Sequence, residues 1–163
     1  MKMRRSDLAM TPEWAWALLE KGEYGILATV GEDSMPYGIP VSYVVDNGKI
    51  YIHSAQEGRK VDNMNFCPNV SFTVIGRTKP VFINYFTAYF ESVVVTGKAT
   101  NIEDEAIKSD ILFKLTKKYL PDHLDAAAKT ISHLCKRTKI VEITVENISG
   151  KAKLPKDEND WQK

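Results

Sequence analysis

Residues 36–54 read PYGIPVSYVVDNGKIYIHS, two runs of β-compatible residues joined by a tight-turn signal. The turn signal is Asp46-Asn47-Gly48, because Asn-Gly tolerates the positive φ angles of a type I′ turn. The runs on either side predict antiparallel strands over Tyr37–Val45 and Lys49–Ser54. Pro40 lacks an N–H group, so it indicates an edge position, a bulge, or a place where something other than a strand approaches the backbone. The stretch therefore predicts a β-hairpin.

Elements on both sides of this hairpin follow from periodicity and capping. Thr11 as N-cap and Pro12 at the first helical position predict a helix that ends at Gly22. A strand over Tyr24–Val30 precedes the hairpin, and residues 56–66 show helical spacing after it. Strands are predicted next over Asn69–Ile75 and Val81–Ala99, and the second is either whole or broken near Thr87-Ala88. Two helices follow, one over Glu103–Tyr119 with Asn101 as its cap and one from Pro121 onward. The last predicted element is a strand over Ile140–Glu146.

About six strands in hairpin order predict a closed or nearly closed antiparallel β-barrel, with helices that plug its ends or cover its flanks. A Rossmann arrangement fits poorly, because the strands come in hairpins and no G-x-G-x-x-G motif follows a strand. We expect one domain over residues 1–163, with a polar and loose tail from about Gly150 apart from Trp161.

Composition excludes several classes of protein. The chain has 163 residues, 44% of them hydrophobic, which is enough for one core. Lys and Arg number 22 against 21 Asp and Glu, a net charge of +1 that argues against a nucleic-acid binder. Two cysteines build no disulfide framework, and no apolar stretch approaches the roughly 20 residues that span a membrane. The basic N-terminus lacks the apolar segment of a signal peptide, so we expect a soluble, cytoplasmic protein.

The stretch HSAQEGRK over residues 53–60 carries the strongest chemical signal. A strand ends there and a helix begins, and the N–H groups at a helix start favour an anion. Arg59 adds a planar fork suited to two phosphate oxygens, Lys60 a compact charge, and Ser54 a hydroxyl. Gly58 lets the backbone come close to a ligand. These residues predict a phosphate-monoester site, with a solvated basic pair at a helix start as the alternative.

Other chemistry has little support in the sequence. His53, at the strand end, is either a structural histidine or a group that faces a ligand. The three histidines fall on different predicted elements and no Cys-x-x-Cys occurs, so we predict no metal site. No nucleophile motif such as Gly-x-Ser-x-Gly is present. The aromatic residues around 85–90 are explained by sheet packing without a stacked ligand.

The order of the motifs resembles the FMN-binding split-barrel proteins related to pyridoxamine 5′-phosphate oxidase, and within them the nitroimidazole-resistance branch. The resemblance covers roughly residues 3 to 153. It rests on Met3-Arg4-Arg5, Gly25–Val30, Pro36–Tyr43, Ile50–Ala55, Gly58-Arg59-Lys60, Glu91–Ala99 and Ile148–Lys151.

The resemblance implies a six-stranded split barrel and a homodimer with FMN in the cleft between subunits. It implies contacts to the flavin ring from Thr29, Val30, Pro40, Val41 and Ser42. It implies contacts to the ribityl phosphate or the ring edge from His53, Ser54 and Ala55, and phosphate contacts from Arg59 and Lys60. It also implies that Glu91 and Ser92 contact the flavin from the partner subunit. The chain departs from the family in three ways. Family members often have Asp-Gly where this chain has Asp33-Ser34, a difference in turn chemistry. Leu8 stands where a basic residue is usual, and the substrate-phosphate arginine and histidine of pyridoxamine-phosphate oxidases have no counterpart near the C-terminus.

The resulting hypothesis is an FMN-dependent oxidoreductase that acts on a small acceptor such as a nitroimidazole or another nitroaromatic compound. NADH or NADPH is the expected electron donor, and His53 is a candidate for substrate positioning. The alternative is a non-catalytic module that holds flavin or haem as a sensor or carrier. We expect no nucleic-acid or membrane partner; binding through the basic N-terminus would instead give salt-dependent retention on DNA.

Overall fold

Antiparallel strands form a closed ring in the computed structural model, which describes residues 3–82 and 85–161. The strands are β1 (Ala9–Met10), β2 (Tyr24–Val30), β3 (Pro36–Asp46), β4 (Lys49–Ser54), β5 (Asn69–Phe82), β6 (Phe86–Ile102) and β7 (Lys139–Lys153). The helices are α1 (Pro12–Lys21), α2 (Arg59–Phe66), α3 (Glu105–Tyr119) and α4 (Leu124–Cys135), with 3-10 turns at Ser6–Leu8, Pro121–His123 and Glu158–Trp161.

Six strands make the ring, in the order β2-β3-β4-β7-β6-β5 and back to β2. Every neighbouring pair is antiparallel, and the short β1 pairs with Gly150 and Lys151 of β7. The pairing between β2 and β5 is short, with only Ile26–Ala28 in register with Ser71–Thr73. The predicted six-stranded antiparallel split barrel with flanking helices is therefore confirmed.

The interior of the ring is filled by alternate strand residues and by one helix. Tyr43 and Phe72 are fully buried and meet edge to face, with ring centroids 4.9 Å apart. The helix α1 adds Ala15 and Leu19, both without exposed surface. Its start is as predicted, because the Thr11 side chain accepts a hydrogen bond from the backbone N–H of Trp14 at 3.3 Å. The helix acts as the plug that a barrel of this size needs.

Three strands differ in length from the sequence prediction. The predicted strand over Val81–Ala99 is divided between two strands, because Val81 and Phe82 end β5 and pair with Thr87 and Phe86 of β6. The strand β6 runs unbroken from Phe86 to Ile102, so the chain does not break at Thr87-Ala88; Ile83 and Asn84 lie outside the described residues. The strand β5 continues past Ile75 through a bulge, and β7 continues through residues 150–153, which the sequence had left in a loose tail. The strands β5 and β7 are longer than predicted because β6 lies between them and pairs with both.

The cap of α3 also differs from the prediction. Asp104, not Asn101, occupies the N-cap, and its Oδ1 accepts hydrogen bonds from the N–H groups of Ala106 and Ile107, both at 2.9 Å. Asn101 instead belongs to β6, where it is in register with Val141. A carboxylate binds two N–H groups of the first turn and also favours the positive end of the helix dipole, so it is the stronger cap.

The barrel is split where β3 changes partners. Its pairing with β2 ends at Ser42, and its pairing with β4 begins at Tyr43. At this point the hydroxyl of Tyr119, at the end of α3, accepts a hydrogen bond from the Tyr43 N–H at 2.9 Å. The same hydroxyl lies 3.0 Å from the Tyr43 carbonyl oxygen and contacts the carbonyl of Glu23. One side chain thus replaces the missing strand partner.

We expect the substitution Tyr119→Phe to lower the free energy of unfolding by about 1–3 kcal/mol, because it leaves the Tyr43 N–H group without its acceptor. Urea denaturation monitored by circular dichroism measures the effect. Tyr85→Phe is the matched control, since Tyr85 is 62% exposed and its hydroxyl is accessible to water. Equal stability of the two variants would show that the Tyr119 hydroxyl does not support the split.

Candidate functional site

The predicted phosphate site lies where β4 ends and α2 begins. The chain leaves β4 at Ser54 and enters α2 at Arg59, with Gly58 as the N-cap. The φ angle of Gly58 is +128°, a conformation that side-chain-bearing residues rarely adopt. Among residues 3–82 and 85–161, no side chain caps the helix, and none has an atom within 4 Å of a Cβ placed at Gly58. The N–H groups of Val61 and Asp62 bond to the Gly58 carbonyl oxygen, so those of Arg59 and Lys60 are the ones at the helix start that could bind an anion.

A buried hydrogen-bond chain fixes α2 against β2. The Asn63 side chain, nearly fully buried, donates from Nδ2 to the Thr29 Oγ1 at 2.9 Å. The Thr29 hydroxyl in turn donates to the carbonyl oxygen of Tyr37 at 3.3 Å. Gly31 is required beside this chain, because a Cβ there would overlap Asn63 Oδ1. The start of α2 is thereby held beside the turn that follows β2.

Arg59 points into an open cleft of about 570 Å³ at this end of the barrel. The cleft is lined by Gly31, Glu32, Asp33, Arg59, Asp62 and Asn63. The Arg59 guanidinium donates to Asp33 Oδ2 at 3.0 Å and lies 5.0 Å from the centre of the Tyr37 ring. Both charged side chains are about half exposed, and a surface pair of this kind is worth about 0–1 kcal/mol. A phosphate that binds the guanidinium through two oxygens can replace the Asp33 carboxylate.

His53 and Ser54 are the last two residues of β4, so their side chains lie on opposite faces of the strand. Ser54 is only 5% exposed, and within the described residues its hydroxyl has no hydrogen-bond partner, which is unusual for a buried polar atom. His53 is exposed, yet desolvation by the surrounding protein, followed by the charge of Lys60, lowers the pKa of its imidazole. Since the ordinary pKa is about 6.5, the ring is neutral at pH 7 and offers one donor and one acceptor.

The structure brings together one part of the sequence-predicted flavin site. His53, Ser54, Ala55, Arg59 and Lys60 share the β4–α2 junction, and the end of β2 with Thr29 and Val30 is joined to it through Asn63. The Thr29 side chain is buried and already hydrogen-bonded, so it supports the site from behind.

The β3 residues of the predicted site divide between two surfaces. Pro40 lies on the outer surface of the sheet, in register with Ile26, and Ser42 faces the same way in register with Tyr24. Val41 faces the interior and packs against the core. Within one chain, only Pro40 and Ser42 therefore present side chains to a ligand on the outer surface.

Glu91 and Ser92 are not brought to the Arg59 cleft within one chain. Glu91 is 8% exposed and accepts hydrogen bonds from the backbone N–H of Arg77 at 3.0 Å and from the Arg77 guanidinium at 2.9 and 3.2 Å. Arg77 also contacts Glu158 and lies 4.3 Å over the Trp161 ring. Ser92 donates to the carbonyl of Lys151. Glu91 thus holds the bulge of β5, and Arg77 links that bulge to the C-terminal residues.

We expect Glu91→Gln to lower the free energy of unfolding at pH 7 by about 1–3 kcal/mol, because the charged acceptor of three hydrogen bonds is lost. The Arg77 hydrogen bonds lower the pKa of Glu91, so its ionised form stabilises the fold above the ordinary value of about 4.5. The stabilisation by ionised Glu91 is lost as the pH falls through its lowered pKa. The difference in the free energy of unfolding between the wild type and Glu91→Gln is therefore expected to shrink as the pH falls. Unfolding curves at pH 7, 5 and 3 measure this trend.

Glu146→Gln is the control for this experiment, since Glu146 is exposed and lies 3.6 Å from Lys98. A difference between wild type and Glu91→Gln that stays constant from pH 7 to pH 3 would contradict the assignment.

Sequence reasoning missed Asn63 and the pairing role of Asp33. Asn63 is a polar residue among the buried positions Val61 and Met64 of a short helix, and that placement was the available signal. Asp33 gave only a turn signal, because its partner Arg59 lies 26 residues away.

Among residues 3–82 and 85–161, no three His, Cys, Asp or Glu side chains converge in a way that would hold a metal ion. Within the same ranges, no helix has the length and hydropathy to cross a bilayer.

These observations define the class of structure, which is a split antiparallel barrel with a cationic helix start at one end. A family model described as pyridoxamine 5′-phosphate oxidase matches residues 11–152. The chain belongs to this family, as the motifs predicted. No curated protein sequence gives a significant match.

Solved structures share the fold at low sequence identity. The flavocytochrome Anf3 from Azotobacter vinelandii has a TM-score of 0.81 and 22% identity, with 99% of this chain and 78% of that chain covered. A suggested 5-nitroimidazole antibiotic resistance protein from Bacteroides thetaiotaomicron has a TM-score of 0.76 and 21% identity, with 88% of this chain and 86% of that chain covered. An FAD and haem binding protein from Mycobacterium smegmatis has a TM-score of 0.76 and 17% identity, with 93% of this chain and 77% of that chain covered.

Proposed function

We propose that the chain binds FMN as a homodimer and acts as a flavin-dependent oxidoreductase on a small acceptor. The observation that carries the proposal is the uncapped start of α2, where Arg59 and Lys60 follow directly on Gly58. This arrangement suits one phosphate monoester, the anionic group of FMN. The buried, unpartnered Ser54 hydroxyl at the end of β4 fits the same interpretation, since a bound ligand or its water would satisfy it.

The family supports a flavin as the ligand, and the descriptions of two structural neighbours are in line with it. One is described as a flavocytochrome and the other as an FAD and haem binding protein. The one basic pair at the start of α2, Arg59-Lys60, suits the single phosphate of FMN better than the pyrophosphate of FAD. When bound, the flavin supplies the hydride and electron chemistry, and the protein supplies binding and orientation.

An uncharged surface on the outside of the barrel supports the homodimer. In one row across five strands, Pro40, Ile26, Thr73, Val94 and Ser149 are in register and face outward. The next row reads Gly38, Ala28, Ser71, Thr96 and Asn147. Neither row contains a charge in a chain that is 26% charged, and such surfaces mark interaction sites. We call these two rows the uncharged face.

The roles of the remaining groups follow from their positions. Arg59 and Lys60 anchor the phosphate, and Pro40 on the uncharged face and Ser42 beside it lie where a flavin between two subunits would reach them. The neutral imidazole of His53 can orient an acceptor by donating one hydrogen bond without adding a charge. A nitro group, with two acceptor oxygens, is a suitable target, and the neighbour described with 5-nitroimidazole resistance supports this choice.

The purified protein tests the proposal directly. We expect a yellow protein, or FMN uptake with one site per chain and weaker binding of FAD, in a dimer seen by sedimentation. Anaerobic mixing with NADH or NADPH is expected to bleach the flavin, and a nitroimidazole to restore its colour. A colourless protein without FMN uptake would overturn the proposal. Stoichiometric flavin that neither nucleotide reduces would instead support a non-catalytic carrier.

A further inference from the structure

A second cleft, here called the α1 cleft, opens between α1 and the bulge of β5. Its volume is about 340 Å³, and its walls include Trp14, Leu18 and Lys21 of α1 and Ile75, Arg77 and Glu91 of the sheet. This volume lies at the lower end of the range of small-molecule pockets, about 300–1,000 Å³. From the pair Ala28 and Ser71, β2 runs toward the Arg59 cleft and β5 runs the other way, toward Ile75. The two clefts therefore lie at opposite ends of the barrel.

The wall formed by α1 is apolar but not buried. Ala17 and Leu18 lie three and four positions after Trp14, so the three side chains share one face of the helix. Ala17 is exposed, and Trp14 and Leu18 are half-buried, whereas Leu19 on the adjoining face fills the barrel interior. Ile75 lines the cleft from β5 and is 57% exposed. Apolar side chains on both sides of the cleft offer a binding surface for a ring or a short hydrocarbon group.

The opposite wall is a fixed bulge. The register between β5 and β6 shifts after Ile75, which leaves Gly76 and Arg77 in the bulge. A Cβ on Gly76 would lie 2.8 Å from the Glu91 Cβ and 2.9 Å from the Leu18 Cδ1, so glycine permits the close approach of β5, β6 and α1. The three hydrogen bonds from Arg77 to Glu91 hold the bulge from within. The cleft is thus pre-formed, which lowers the free-energy cost of binding a ligand.

The C-terminal residues hold the same bulge from outside. The Trp161 ring packs edge to face on Tyr89, with ring centroids 6.0 Å apart, and the Arg77 guanidinium lies on the same indole. The Lys79 ammonium donates a hydrogen bond to the carbonyl oxygen of Asp160 at 2.7 Å. The wall that carries Arg77 is therefore supported on both sides.

Lys21 is the charged group of the cleft that is available to a ligand. The other two charged side chains of the lining, Arg77 and Glu91, are bonded to each other, and Glu158 contacts Arg77 from outside the cleft. Within residues 3–82 and 85–161, the exposed Lys21 ammonium makes no hydrogen bond or salt bridge. The pKa of Glu91 is lowered mainly by the Arg77 hydrogen bonds and further by the positive charge of Lys21, so that ammonium lies near the polar end of the cleft.

We propose that the α1 cleft binds a small aromatic carboxylate, whose ring lies against Trp14 and Ile75 and whose carboxylate binds the Lys21 ammonium. A ring makes apolar contact with the indole, and a carboxylate accepts a charge-assisted hydrogen bond from an ammonium. A phosphate monoester suits the cleft less well, because it carries a charge of about −1.5 to −2 at pH 7 and would lie near the Glu91 carboxylate. The site is separate from the Arg59 cleft, so the proposal does not depend on FMN binding.

Calorimetric titration with 2-naphthoate tests the site. We expect one naphthoate per chain with a dissociation constant below about 1 mM. For Lys21→Gln, which removes the charge, we expect that constant to rise about tenfold. The neutral analogue 2-naphthylmethanol is expected to bind both proteins equally. Lys117→Gln, which removes an exposed charge from α3, is the control and is expected to bind naphthoate like the wild type.

Two further variants locate the bound naphthoate. Ala17→Trp fills the cleft from an exposed position, so it is expected to abolish binding of both compounds while circular dichroism shows a folded protein. Arg59→Ala/Lys60→Ala is expected to bind naphthoate like the wild type, because the two clefts are separate.

Three results would overturn the proposal: a wild type that binds no naphthoate, unchanged naphthoate affinity in Lys21→Gln, and unchanged affinity in a folded Ala17→Trp. Loss of naphthoate binding in Arg59→Ala/Lys60→Ala would place the ligand in the Arg59 cleft and would also contradict it. A protein that binds naphthoate in this pattern but takes up no FMN would support the α1 cleft as a ligand site and overturn the proposed function alone.

Discussion

Replacing Arg59 and Lys60 together by alanine is expected to weaken FMN binding by about 3 kcal/mol, or roughly 100-fold in the dissociation constant. Charge-assisted hydrogen bonds to phosphate are each worth about 1.5–3 kcal/mol, and the surface pair with Asp33 shows that the guanidinium is available for exchange. Fluorescence titration of the apoprotein with FMN measures the change. Riboflavin, which lacks the phosphate, is expected to bind both proteins equally.

The matched control removes two positive charges elsewhere. Lys117 and Lys129 are exposed on α3 and α4, and their joint replacement by alanine is expected to leave FMN affinity unchanged. If the control weakened binding as much as the Arg59→Ala/Lys60→Ala variant, the attraction would come from net charge and not from a phosphate anchor. If riboflavin lost affinity as well, the pair would support the fold of the site and not the phosphate.

The substitution Gly97→Ala is expected to lower the free energy of unfolding by about 3 kcal/mol, which corresponds to a fall of roughly 10 °C in Tm. Gly97 lies at the bulge between β6 and β7, where a Cβ would overlap the backbone carbonyl oxygen of Thr144. A backbone atom in a central pair of strands cannot move aside as a flexible side chain can. Differential scanning calorimetry measures the loss.

Gly38→Ala provides the comparison on the same barrel. Gly38 is also a strand residue, but its Cβ would find only Ile26 Cγ2, at 3.7 Å. We expect a change in the free energy of unfolding of at most about 1 kcal/mol. Similar losses for both variants would mean that glycine is preferred in these strands for a reason other than the close approach of Thr144.

Elements with strong local signals could be predicted from the sequence. Thr11 and Pro12 are adjacent in the chain, and together they define the start of α1. Asn47 and Gly48 are likewise adjacent, and they define the turn between β3 and β4. The length of β6 could not be predicted so well, because it depends on pairing with residues of β7 some 40 to 60 positions away. The six-stranded ring followed from the count and order of strands, whereas its split at Tyr43 depends on Tyr119, 76 residues further on.

The same distinction applies to the candidate site. Arg59 and Lys60 were predicted because a strand end, a glycine and a basic pair are adjacent in the sequence. The contact between Asn63 and Thr29 spans 34 residues and has no local signature. Glu91 was predicted as a cofactor contact by resemblance alone, and its binding to Arg77 follows from a bulge that periodicity does not reveal.

The attachment of Trp161 and Asp160 to Tyr89 and Lys79 has a practical consequence for how this protein is handled. If the chain were cut after Lys153, where its polar ending begins, the hairpin formed by Thr78–Phe82 and Phe86–Phe90 would lose the contacts that cover one of its faces. The other face already exposes Phe82 and Phe86. The result would be a two-stranded hairpin with neither face covered, and an uncovered strand pair is a template for aggregation. A shortened protein that precipitates during expression would then reflect this exposed hairpin and not a failure of the barrel to fold.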